Sequence, residues 1–129
     1  MNATARYVIL VICATLSACQ MTSAQMARAA VLINPGAEVR LEISQTIMTM
    51  TGFSSVALAD QDLTRSSELV IERKHQKTAN GELIQGRDLE PPQRFQLVTQ
   101  HGQCWLVHQS SGQRTLLKKA QCRADDTAG

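Results

Sequence analysis

The stretch Phe95 to Lys118, FQLVTQHGQCWLVHQSSGQRTLLK, decides the fold. Three runs in it, Phe95-Gln96-Leu97-Val98-Thr99, Cys104-Trp105-Leu106-Val107-His108 and Arg114-Thr115-Leu116-Leu117-Lys118, have the length and β-branched or aromatic content of strands. His101-Gly102 and Ser111-Gly112 stand between them as turns, which makes the segment an antiparallel meander. A first hairpin centred on His101-Gly102 sets Leu97 opposite Leu106 and Val98 opposite Trp105. Because side chains alternate with a period of two, Phe95, Leu97, Cys104 and Leu106 then share the core face, and His108 has the same parity. A second hairpin centred on Ser111-Gly112 sets Cys104 opposite Lys119, so a bulge or strand exit near Ala120 is needed to bring Cys122 back toward it.

Upstream of the meander, Leu69-Val70-Ile71-Glu72-Arg73 reads as a further strand with Leu69 and Ile71 inward. Phe53 to Leu58 reads as a short one. Asp60-Gln61-Asp62 is expected to form a turn with a capping position, since Gln61, Leu63 and Thr64 do not continue a calcium loop. The polar segment from His75 to Pro92, with Asn80-Gly81, Gly86 and Pro91-Pro92, reads as a long hairpin connection in which Glu82-Leu83-Ile84 is an edge-strand candidate. In residues 39–50 two periods compete. Val39, Leu41 and Ile43 alternate as in a strand, whereas Val39, Ile43, Ile47 and Met50 fall on one helical face, and Gln45 breaks the alternation. The helical pattern is preferred, with Asn34 as its cap, Pro35 at its first position, Glu38 near its amino end and Gly52 terminating it.

These elements define an α+β domain: one N-terminal helix packed on a small antiparallel sheet that ends in a three-stranded meander. The chain has 129 residues, room for one domain. Its charges, 13 basic against 11 acidic, are near balance. Basic residues are adjacent only at Arg73-Lys74 and Lys118-Lys119, and aromatic residues are 3% of the chain. Neither a basic stripe nor an aromatic stacking platform for nucleic acid is present.

The first segment carries Arg6 and then the apolar run from Tyr7 to Leu16, the n-region and h-region of a secretory signal. The run gives way to Ser17 and Gln20 too soon to span a bilayer, which takes about 20 apolar residues. It ends in Leu16-Ser17-Ala18-Cys19, which resembles the lipobox of bacterial lipoproteins: Leu, two small residues, then Cys. The resemblance covers only the leader. It implies removal of residues 1–18, acylation of Cys19 and attachment to a membrane through that lipid, two or more acyl chains giving a stable anchor. Gln20, in place of an Asp, leans toward the outer membrane with the domain facing the periplasm. Residues 19–33 are then expected as a tether in which Met26 to Ile33 has helical potential, 34–123 as the folded domain and 124–129 as a frayed tail.

Four cysteines are present: Cys13, Cys19, Cys104 and Cys122. With Cys13 lost in the leader and Cys19 consumed by lipid, Cys104 and Cys122 remain as an even pair in an oxidising compartment, and a structural disulfide is expected. Two other readings need reduced thiols: zinc held by His101, Cys104, His108 and Cys122, or Cys104 as a nucleophile with His108 as its base. The spacing fits no established zinc module, and no phosphate-binding glycine loop or serine elbow is present. No cofactor and no catalytic residue is assigned. The functional expectation is a non-enzymatic accessory or scaffold lipoprotein of the cell envelope, whose partner is another envelope protein contacting an uncovered sheet edge or the face that bears Trp105 and Val107. The alternative is an inhibitor or immunity lipoprotein that inserts the His75 to Pro92 loop into a hydrolase or toxin.

Overall fold

The structure, a computed structural model, describes residues 26–72, 79–81 and 91–127. Its elements are β1 (Arg28–Leu32), α1 (Ala37–Thr51), β2 (Glu68–Ile71), β3 (Gln93–Gln100), β4 (Gln103–His108), β5 (Arg114–Leu117) and β6 (Cys122–Ala124). The strands form one antiparallel sheet in the order β5-β4-β3-β1-β6, with β2 also paired to β3. The α+β expectation, one helix on an antiparallel sheet stapled by one disulfide, describes this architecture.

β3 organises the sheet. One edge takes β4 along its whole length, with Leu97 opposite Leu106 and Val98 opposite Trp105 as the His101-Gly102 turn requires. The other edge is shared end to end: Gln93 to Gln96 pair with β2, and Val98 and Thr99 pair with β1. β1 is a correction to the expected tether, because residues 28–32 lie inside the sheet, between β3 and β6. Ala30, Val31 and Leu32 are buried there. The expected strand at Phe53 to Leu58 does not form, since β1 and β2 already fill the free edge of β3. That stretch runs as an irregular connection held by Ser44, whose hydroxyl donates to Val56 O at 2.6 Å.

The sheet cannot be flat. Three inter-strand steps separate β4 from β6, roughly 14 Å in a flat sheet. The Cα atoms of Cys104 on β4 and Cys122 on β6 are nevertheless 5.9 Å apart, joined by a disulfide. The sheet therefore curls into a partly closed barrel, and residues 118–121 carry the chain from one end of the strand order to the other. Helix α1 packs against β4 and β5, with Val39, Ile43 and Ile47 buried at successive i, i+4 positions. Phe95, Leu97, Leu106, Ile43 and Ile47 are the largest fully buried side chains.

Residues 39–50 are helical, and Gly52 closes the helix in the left-handed region (φ 76°), its N–H donating to Met48 O at 2.8 Å. The three threonines on α1 return their hydroxyls to carbonyls four residues back: Thr46 to Glu42, Thr49 to Gln45 and Thr51 to Ile47. The start of the helix differs from expectation. Gly36, in extended conformation, occupies the cap position without a side-chain hydrogen bond, and Ala37 is the first helical residue. Asn34 is engaged elsewhere: its Nδ2 donates to Lys119 O at 3.0 Å, and its Oδ1 accepts from Gln121 N at 2.7 Å. From α1, the Glu42 carboxylate accepts the neighbouring N–H groups of Lys118 and Lys119. Two polar side chains thus fasten the crossover between β5 and β6.

The second hairpin is shifted by two residues from expectation. Cys104 faces Leu117, not Lys119, because Gln109 to Gly112 form a four-residue turn closed by His108 N to Gln113 O, with Gly112 N donating to His108 O and Gly112 at φ 71°. A two-residue shift preserves which face each side chain occupies. Cys122 reaches Cys104 from a separate strand paired to β1, in place of the expected bulge near Ala120. The sheet also runs into the expected tail: Ala124 pairs with Ala30, and Asp125 N donates to Ala29 O at 2.8 Å. The turn at Asp60 to Asp62 forms as expected, with Ala59 N donating to Asp62 Oδ2 at 2.7 Å.

Candidate functional site

Alternation along β4 sends Cys104, Leu106 and His108 into the core and leaves Trp105 and Val107 on the outer face of the sheet. Register then builds that face in cross-strand rows. Ala29, Val98, Trp105 and Leu116 form one row over four strands, and Gln96, Val107 and Arg114 form the next. The guanidinium carbon of Arg114 lies 4.4 Å from the centroid of the Trp105 ring, and its Nη2 donates to Gln100 Oε1 at 2.8 Å. Arg114 therefore crosses the indole diagonally.

The Trp105 Nε1 atom is buried and has no hydrogen-bond partner among the described residues. An indole N–H withdrawn from water normally finds an acceptor, so this is a costly group. Arg94 and Val70, paired across β3 and β2, extend the outer face beyond Gln96, where Glu68 is the acid. Trp105 and Val107, both expected as contact residues, stand together here; Leu116 is moved from beside Val107 to beside Trp105, and Arg114 takes its place. The cause is the two-residue shift of β5, since the expected register would set Lys118 beside Trp105 and Leu116 beside Val107.

A second polar cluster surrounds His108, which is buried and stacked on Phe95 with ring centroids 4.8 Å apart. Its Nε2 lies 2.7 Å from Gln93 Oε1 and 2.9 Å from Ser110 Oγ, and its Nδ1 lies 2.9 Å from Ser111 Oγ. Gln93 Oε1 accepts from Nε2, and the Ser111 hydroxyl is the partner of Nδ1. Ser111 Oγ in turn accepts from Gln113 N at 3.2 Å. The imidazole is a tie between β3, β4 and the Gln109 to Gly112 turn. Its parity was legible in the sequence, whereas Gln93, fifteen residues away, came beside it only through the sheet.

Cys104 and Cys122 are bonded to each other, so their sulfurs are not zinc ligands and Cys104 is not a free nucleophile. His101 is exposed at the β3–β4 turn. Among the described residues, no group of three or more His, Cys, Asp or Glu side chains converges as a metal site. No helix among them is long and apolar enough to cross a membrane. Cys19, His75 and the edge-strand candidate Glu82-Leu83-Ile84 lie outside the described residues, as does most of the proposed inserting loop. Comparison of the chain with protein-family models, with curated proteins and with solved structures returns no match.

Proposed function

We propose that this chain is a lipid-anchored envelope lipoprotein, held by acylated Cys19 on the periplasmic side of the outer membrane, where its domain serves as a non-enzymatic accessory or scaffold component. The observation that carries the reading is the division of the cysteines. Cys104 and Cys122 satisfy each other in a disulfide, and the lipobox-like Leu16-Ser17-Ala18-Cys19 gives the remaining cysteine of the processed chain a use. A structural disulfide suits an oxidising compartment, where an export leader delivers its cargo. The non-catalytic part draws support from His108, the buried histidine of the core, whose two ring nitrogens are engaged by Gln93, Ser110 and Ser111 in a structural tie.

Mass spectrometry of the protein purified from membranes without reductant tests the anchor. The amino-terminal peptide is expected to begin at Cys19 with the added mass of acyl chains, and a Cys104–Cys122 linked peptide is expected beside it. An unmodified amino terminus sinks the reading. The scaffold role is tested by chemical crosslinking and pull-down of the lipidated protein from intact envelopes. Recovery of the same discrete protein adduct from independent envelope preparations supports an envelope-protein partner; its absence argues against one.

A further inference from the structure

We infer that the Trp105 face of the sheet rests on the anionic phospholipid surface to which the chain is tethered, an inference that builds on the lipid-anchor reading above. Geometry comes first. Ala29 stands in the same cross-strand row as Val98, Trp105 and Leu116, so the chain arriving from Cys19 enters the sheet at the row that carries Trp105. Ten residues from Cys19 to Ala29 reach at most about 36 Å. The lipid thus keeps this row within that distance of the bilayer.

Chemistry then selects the face. The half-buried Trp105, Leu116 and Val107 provide a compact apolar centre, and exposed Arg114 and Arg94 provide cations beside it. Glu68 is the acid that the register places on this side of β2 and β3. Tryptophan is favoured at the headgroup level of bilayers because its ring is apolar and its N–H meets lipid acceptors. The unpartnered Trp105 N–H is such a donor. Arg114, held over the ring by one stacking contact and one bond to Gln100, can turn outward to a lipid phosphate, and that movement uncovers the ring face. Each surface contact is worth only about 1 kcal/mol per basic residue. A tether makes the encounter intramolecular, so a weak surface suffices.

Trp105 is the single tryptophan of the chain and is therefore its own probe. The lipidated protein, purified from membranes, is reconstituted into phosphatidylethanolamine–phosphatidylglycerol vesicles with and without brominated acyl chains, and into phosphatidylcholine vesicles prepared the same way. Insertion of the ring into the headgroup–acyl boundary is expected to lower its emission about two-fold or more with brominated anionic lipid, with a blue shift. The effect is expected to weaken in phosphatidylcholine and in a doubly substituted R94E/R114E protein whose thermal unfolding matches the parent. Emission indifferent to bromine, or equal quenching in both lipids, overturns the inference. So does a dimer in detergent whose dissociation by dilution shifts the Trp105 emission, since a second copy would then occupy the face. The arms separate the two readings: a protein with no acyl mass at Cys19 fails the anchor, whereas an acylated protein with unquenched Trp105 fails only this inference.

Discussion

Glu42 and Lys118 are 76 residues apart in the chain, yet the Glu42 carboxylate accepts the main-chain N–H of Lys118 at 2.6 Å and, with its other oxygen, that of Lys119 at 2.9 Å. A side chain on α1 thereby fixes the backbone that crosses from β5 to β6, much as a carboxylate caps a helix end. The bond is to the peptide, so the identity of Lys118 is immaterial to it.

Glu42→Ala is accordingly expected to lower unfolding stability by about 2 kcal/mol, because two N–H groups lose a charged acceptor. Glu42→Gln retains one acceptor oxygen and is expected to cost about half as much. Lys118→Ala, which leaves the peptide donor in place, is expected to stay within about 0.5 kcal/mol of the parent. Urea denaturation followed by circular dichroism measures all three. An equal loss for Glu42→Ala and Lys118→Ala would show that the clamp is not what Glu42 contributes.

The Cys104–Cys122 bridge closes a loop with a sequence separation of 18. The loop-entropy model assigns about 3 kcal/mol to a loop of this size. Replacing both cysteines by alanine is expected to remove that amount and more, since Cys104 is also buried in the core. Denaturation of the parent with and without reductant isolates the bridge from the packing. A midpoint unmoved by reductant, with thiol titration confirming reduction, contradicts the assignment.

His108→Ala is expected to destabilise the domain by about 2 to 4 kcal/mol, through loss of the stack on Phe95 and stranding of the partners Gln93 and Ser111. Ser110→Ala removes one exposed hydroxyl partner and is expected to cost about 0.5 kcal/mol or less. Thermal unfolding of the two variants distinguishes a structural tie from an idle histidine. Near-parental stability of His108→Ala removes the structural role.

Positive φ at both His101 (54°) and Gly102 (73°) makes the β3–β4 connection a two-residue turn of the I′ kind. Histidine tolerates the left-handed region, but asparagine before glycine is the preferred pair in a I′ turn. His101→Asn is expected to raise stability by about 0.5 kcal/mol, and Gly102→Ala to lower it by about 1 kcal/mol, as a Cβ at that φ is strained. No neighbouring atom lies within 4 Å of a Cβ built at Gly102, so the penalty is conformational and not steric crowding. A neutral Gly102→Ala would mean that the turn has relaxed to another type.

What was legible in the sequence was local. The period-two runs and the dipeptide His101-Gly102 were enough to set the β3–β4 register and the inward parity of Phe95, Leu97, Cys104, Leu106 and His108, because a short turn leaves little freedom in pairing. The helix followed from Val39, Ile43 and Ile47 at four-residue spacing, with Gly52 to end it. The outward position of Trp105 and Val107 came from the same alternation. Even the cysteine pairing needed only the subtraction of Cys13 and Cys19.

Tertiary structure decided whatever depends on an edge being free. Arg28-Ala29-Ala30-Val31-Leu32 has small residues and no strong alternation, and it became a strand because β3 and β6 present unpaired backbone on either side of it. Phe53 to Leu58, the better strand by composition, was left outside because that edge was taken. Asn34 lost its capping role to the β5–β6 crossover, and the four-residue turn after His108 moved Arg114 into line to lie over Trp105. Curling of the sheet, which brings Cys122 across three inter-strand steps to Cys104, is likewise a property of the closed assembly. Side-chain parity is a one-dimensional property that a chain carries in its order of residues; the choice of neighbouring strand is a competition for hydrogen-bonding edges, resolved only when all strands are in place.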